Sequence, residues 1–223
     1  MDDAVRFVSI PLTTLLAALL AALVLAAPAC GQVLDREAAL QALKSPDVAQ
    51  RERGVVGLAR NGRMTDAPAL VAALRDPAES VRGGAEQALW IVWSRSGDAE
   101  VDRLFARGLE EMNGGRFDDG IATFSRVIEA APGFAEGWNK RATLYFLAGD
   151  YRRSLADCDE VMKRNPAHFG ALAGYGQIYL RLDQPERALE YFQRALAVNP
   201  NMTGVEVAAR TLERALAQRK KAI

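Results

Sequence analysis

The second half of the chain writes one hydrophobic pattern three times. Small residues at Gly108, Ala142 and Gly176 recur every 34 positions, each followed a turn later by an apolar or aromatic residue at Met112 (offset by one), Tyr145 or Tyr179. Turn chemistry then interrupts the pattern, at Gly114-Gly115-Arg116, Gly149-Asp150 and Asp183-Gln184-Pro185. A second apolar stripe follows: Gly120, Ser154 and Ala188, then Phe124, Cys158 and Phe192, then Val127, Val161 and Ala195. Those steps of four and three keep the stripe on one face of a helix, where it meets the helix before it. Pro132, Pro166 and Pro200, also 34 apart, end each second helix. The spacing predicts helix–turn–helix units over 101–134, 135–168 and 169–202. Residues 203–223 predict one more amphipathic helix, with Val205, Ala208, Ala209, Leu212, Ala215 and Leu216 on its apolar side. A stack of repeats needs such a polar-backed end to close its last interface.

A different period, of 31 residues, fills positions 33–97. Ser45-Pro46-Asp47 aligns with Asp76-Pro77-Ala78, Arg51 with Arg82, Gly54 with Ala85, Gly57 with Ala88, and Leu58 with Leu89. Each unit reads as a short helix, a Pro-containing turn, and a longer helix with an arginine in its first turns. No stretch of the chain shows the alternation of a half-buried strand.

The third downstream unit, with Leu172, Tyr175-Gly176, Tyr179, Ala188, Phe192, Ala195 and Pro200, resembles the tetratricopeptide repeat family, whose unit is 34 residues. The second keeps Trp138, Ala142, Tyr145, Tyr151 and Pro166 but has Ser154 and Cys158 where the family prefers Ala and an aromatic. The first has Leu104 for the usual Trp and Gly120 for the usual Ala. Upstream, Ala73-Leu74-Arg75-Asp76-Pro77, followed by Val81-Arg82 and the run 85–89, resembles the HEAT family. Together the resemblances imply an all-α, right-handed α-solenoid: HEAT-like repeats over 33–97, three tetratricopeptide units within 98–202, and a capping helix over 203–223. The expected joint is Trp90-Ile91-Val92-Trp93, which either packs at the junction of the two repeat types or stands exposed as an anchor for a partner.

Tetratricopeptide stacks bind proteins, so the resemblance implies a protein or peptide partner held on the concave face by the first helix of each unit. The groove residues expected are Phe105, Leu109, Asn139, Lys140, Thr143, Phe146, Gln177 and Arg181, with Glu136 and Gly170 on the same inner face. Asn139 and Gln177 suit a peptide backbone, Lys140 and Arg181 a carboxylate, and Phe146 an apolar side chain. Chaperone adaptors of the family grip a C-terminal carboxylate with two Lys, an Arg and two Asn. Here Phe105, Leu109, Lys140, Gly170 and Gly174 stand in those places, and the clamp is absent. A second reading makes the chain a structural subunit of an envelope complex, held by its convex face or the Trp90–Trp93 segment; self-association stays open.

Composition adds a compartment. Half of the 223 residues are hydrophobic and a quarter charged, with formal net charge zero, which gives no basic excess to attract nucleic acid. The start departs from this. Leu12 to Ala27 is almost entirely Leu, Ala and Val, and Ala27-Pro28-Ala29 precedes Cys30. Residues 1–30 therefore resemble a secretory signal, a lipoprotein signal with Cys30 as the acylated residue, or an uncleaved anchor long enough to cross a bilayer. Each places the repeats outside the cytoplasm of a bacterium, in the periplasm or attached to a membrane and facing it. Cys158 is then left without a disulfide partner and is expected to be buried as a small hydrophobe.

Candidate chemistry is sparse. The one histidine, His168, lies in a turn between units and is expected to be solvent-exposed and inert. There is no CxxC, HExxH, GxSxG or Gly-rich phosphate loop, and Asp118-Asp119 suit a helix start rather than acid–base work. Neither a catalytic residue nor a metal or cofactor is expected.

Overall fold

The computed structural model describes residues 33–221, and in them it contains eleven α-helices, a short 3₁₀ turn and no strand. The apolar run Leu12 to Ala27 and Cys30 lie outside the described residues. The first four helices are α1 (Arg36–Ala42), α2 (Val48–Asn61), α3 (Ala67–Ala73) and α4 (Glu79–Trp93). The 31-residue period is kept to the residue, since α1 and α3 begin 31 apart and so do α2 and α4. Asp35 and Asp47 start α1 and α2 by accepting the backbone N–H of Ala38 and Ala49, as N-cap carboxylates do.

The repeat units follow as α5 (Ala99–Asn113) with α6 (Phe117–Ala130), α7 (Ala135–Leu147) with α8 (Tyr151–Arg164), and α9 (Phe169–Arg181) with α10 (Pro185–Val198). Helix α11 (Thr203–Lys221) lies against α10 and buries Ala209. The all-α repeat solenoid expected from the sequence is what forms. Each turn between paired helices passes once through positive φ, at Gly115 (72°), Gly149 (78°) and Asp183 (54°). Aspartate tolerates this region better than most residues, which lets the third unit dispense with glycine.

Inside each unit the two helices cross on a matched pair of side chains. Gly108 faces the ring of Phe124 and Gly176 that of Phe192, whereas in the second unit Ala142 goes with the smaller Cys158. A Cβ on Gly176 would stand 2.3 Å from the Phe192 ring, closer than atoms pack. Gly176→Ala is expected to cost about 1–3 kcal/mol from overpacking. In a chain that also carries Phe192→Cys, copying the second unit's pair, the total loss should fall short of the sum of the two single losses. Urea titration of the four chains reads this coupling. The Cys158 thiol is buried, and burial pushes it up to about 12, so it is protonated and unreactive at neutral pH. Ser154, the unit's other departure, donates its hydroxyl to the Ala142 carbonyl at 2.7 Å and so stays satisfied where the family has Ala.

The junction between the two kinds of repeat lies elsewhere than a consecutive stack implies. The Arg51 guanidinium donates to the carbonyls of its own loop, Ser45 and Pro46, and to both carboxylate oxygens of Asp76 in the next loop at 2.6 and 2.9 Å. Arg82 repeats the arrangement, donating to the Asp76 and Pro77 carbonyls and to Asn201 Oδ1 at 3.0 Å. The loop that continues the upstream ladder is therefore Asn199-Pro200-Asn201, at the far end of the third unit. Asn201 returns an N–H to the Leu74 carbonyl at 2.8 Å, and Arg75 donates to the Ala197 and Val198 carbonyls. Helices α1–α4 fold back, and Phe169, Val198 and Met202 join their apolar core.

Candidate functional site

The inner face of α7 begins with a buried charge. Glu136 is 1 % exposed, and donors from three side chains converge on its carboxylate. Lys140 Nζ lies 2.9 Å from Oε1, Asn139 Nδ2 3.1 Å from each oxygen, and His168 Nε2 2.8 Å from Oε2. Ala171 donates its backbone N–H to His168 Nδ1 at 3.0 Å, which caps α9 and leaves Nε2 as the nitrogen that carries the proton to Glu136. Burial alone would push the Glu136 carboxyl up. The Lys140 charge and the His168 hydrogen bond outweigh it and hold the group at about 2.

This corrects the expectation for His168, which is 0 % exposed rather than a solvated turn residue. The repeat register held the clue. His168 is the last residue of its unit, and its counterparts Phe134 and Met202 are both turned into apolar packing.

The fold-back of α4 covers this network. Trp93 stacks on the His168 ring with centroids 4.6 Å apart, and Trp90 meets His168 and Phe169 edge-on at 5.5 and 5.2 Å. Lys140 Nζ sits 5.7 Å from the centre of the Trp90 ring. Gly170 leaves room for that ring, because a Cβ there would fall 2.4 Å from Trp90 Cη2. Of the two readings of the tryptophan pair, junction packing is the one the structure shows. Trp93 is buried and Trp90 half-buried within the chain.

The eight expected groove residues consequently fall into three groups. Phe105 is in the core of the first unit, 5.6 and 5.1 Å from the rings of Phe124 and Phe134, and Leu109 packs half-buried on the same core. Asn139 and Lys140 are buried and committed to Glu136, so neither presents free donors to a ligand. Thr143, Phe146, Gln177 and Arg181 remain. Thr143 and Phe146 are half-buried, Gln177 and Arg181 exposed, and the Arg181 guanidinium lies 6.0 Å from the Phe146 ring centre. Val207, which takes on α11 the register place that Asn139 takes on α7, is 60 % exposed. Sequence reasoning passed over Val207 because the capping helix was read for its packed side. Among the described residues no cluster of His, Cys, Asp and Glu could hold a metal ion, and no helix is long and apolar enough to cross a membrane.

Two sequence profiles of the tetratricopeptide repeat match the chain, over residues 105–161 and 145–209. Over this span the chain is a tetratricopeptide repeat protein. A TPR repeat-containing protein of Rhizobium etli is 32 % identical over 108 residues, 48 % of this chain and 53 % of that one. Anaphase-promoting complex subunit 7 of Dictyostelium discoideum is 32 % identical over 76 residues, 34 % of this chain and 13 % of that one. The chain thus spans about half the length of the first relative and far less of the second. Among solved structures, the first tetratricopeptide domain of Spaghetti (RPAP3), bound to the HSP90 peptide SRMEEVD, superposes with a TM-score of 0.51 at 23 % identity, covering 54 % of this chain and 96 % of that one. The Sgt2 tetratricopeptide domain of Aspergillus fumigatus gives a TM-score of 0.52 at 17 % identity, over 56 % of this chain and 83 % of that one. Tetratricopeptide domains are protein-interaction modules, and the likeness to both solved domains is one of fold.

Proposed function

We propose that the chain is a non-catalytic adaptor of the cell envelope that holds a peptide or protein segment in the open half of its tetratricopeptide groove. The observation carrying this reading is the division of the inner face. One half is filled by Trp90 and the Glu136 network, while Thr143, Phe146, Gln177 and Arg181 stay accessible and Val207, in the corresponding register on α11, is exposed. An apolar ring, an amide that both donates and accepts, and a guanidinium with no ion pair among the described residues suit an extended segment with one large apolar side chain and a nearby carboxylate. The carboxylate clamp of chaperone adaptors is not part of this reading, since Lys140, Gly170 and Gly174 stand in three of its places. The HEAT-like reading of residues 33–97 is supported by the identical loop bonds of Arg51 and Arg82. Export rests on the apolar run before Cys30 and places the adaptor in the periplasm, free or held at a membrane.

Affinity purification from envelope fractions tests the groove. A chain with Phe146→Ala, Gln177→Ala and Arg181→Glu should lose its co-purifying partner at least about tenfold while keeping its helical circular dichroism. Full retention of every partner by that chain would move the binding surface to the convex face and sink this reading.

A further inference from the structure

We propose that the outer face of α2 lies on an anionic membrane surface. This rests on the reading that residues 1–30 keep the chain at a bilayer, and is independent of what the groove binds. Helix α2 buries Gly54, Val55, Gly57, Leu58 and Ala59 against its neighbours and leaves Arg53, Val56 and Arg60 exposed along one stripe. Steps of three and four residues keep that stripe on a single line along the helix. Arg63 and Met64, both exposed, follow just past the helix end.

None of Arg53, Arg60 and Arg63 forms an ion pair among the described residues. The acids of the same segment are mostly spoken for. Asp35 and Asp47 cap helices and Asp66 is held by Arg36, leaving Glu37 and Glu52. Val56, between Arg53 and Arg60 on the helix, is 42 % exposed, and Met64, next to Arg63 in sequence, is 43 % exposed. Apolar side chains interleaved with guanidinium groups on one helix face suit the headgroup layer, where the first enter the acyl boundary and the second meet phosphates.

The short length of chain between the apolar run and the fold limits how far α2 can stand from a bilayer that holds that run. Leu34 enters the fold against α2, its carbonyl accepting from Asn61 Nδ2 at 2.9 Å and its Cβ standing 3.2 Å from the place of a Gly57 side chain. Six peptide steps lead from Ala27, the end of the apolar run, to Val33. Fully extended they reach about 20 Å. A chain whose apolar run sits in or on a bilayer therefore cannot carry α2 far from the headgroups.

The test uses the full chain with vesicles of phosphatidylcholine alone or with a third phosphatidylglycerol. Arginine modification by phenylglyoxal is read residue by residue by mass spectrometry, after flotation confirms that the protein is attached. The expected result is at least about fivefold slower modification of Arg53, Arg60 and Arg63 in the anionic vesicles only. Arg152 and Arg214, exposed on α8 and α11, should be unchanged. Flotation with unchanged rates at the three arginines would overturn the proposal while leaving the anchor intact. Failure to float in either lipid would remove the anchor and the proposal together. Protection that appears only with an added envelope protein, in neutral vesicles as well, would assign the face to a protein partner and overturn the lipid reading.

Discussion

Replacing Glu136 with Ala is expected to remove about 3–5 kcal/mol of stability, which for a chain of this size lowers the melting midpoint by roughly 6–20 °C. The cost comes from what remains behind. Without the carboxylate, the Lys140 ammonium stays in a site only 11 % exposed with no counter-charge, and the Nε2–H of the buried His168 has no acceptor. Glu136→Gln keeps an acceptor for His168 but still strands Lys140, and should fall between the two. The pH dependence has a definite sign. The folded carboxyl is held at about 2, below its value in an unfolded chain, so its stabilisation is complete above about pH 4.5 and fades as pH falls toward 2. Melting curves from pH 7 to 2.5 should show the wild-type advantage over Glu136→Ala constant down to about pH 4.5 and shrinking below it. A difference that stays flat to pH 2.5 would show that the carboxylate is not the stabilising form.

The second large effect lies across the same junction. Trp93→Ala should cost about 3–5 kcal/mol by leaving a cavity against His168 and Phe169. It should also loosen α1–α4 from the repeats. Hydrogen exchange would then show backbone protection in residues 34–93 dropping by more than that in α8–α10. Trp93→Phe is expected to cost far less, because the Trp93 indole N–H is buried without a partner and its removal relieves a group that folding leaves unsatisfied. Equal losses for the two variants, or equal deprotection across the whole chain, would mean that the tryptophan fills space without holding the two halves together.

The periodic part of this architecture was legible because a repeat states its own register. Helices α7, α9 and α11 begin at 135, 169 and 203, each three residues after a proline the sequence had already placed. Cys158 could be assigned to the interior from its register alone, and the structure explains it through the smaller space opposite Ala142. The fold-back was not legible, for a physical reason. A repeat pattern reports which faces are apolar and which units are neighbours in sequence, while the contact between Arg82 and Asn201 joins loops 119 residues apart. Asn139 and Lys140 were misjudged by the same route. They do sit on the inner face, but the Glu136 carboxylate one turn away engages both, and an indole from another repeat lies over Lys140. Only the shared x-Pro form of the loops at 76–78 and 199–201 hinted that the upstream ladder had a third rung.

That third rung fixes the order in which the molecule is completed during synthesis. The helices made first carry an apolar side whose cover is made last. Trp93 waits 75 residues for His168 and Phe169, and Arg82 waits 119 for Asn201. Until those residues leave the ribosome, α4 offers the surroundings the indole rings of Trp90 and Trp93 that His168 and Phe169 later cover. Domains generally fold from the N-terminus as they emerge, and exposed apolar surface at that stage invites aggregation and proteolysis. Here the early half is a guest awaiting its host, so a chain stopped short of Asn201 forfeits its beginning along with its end.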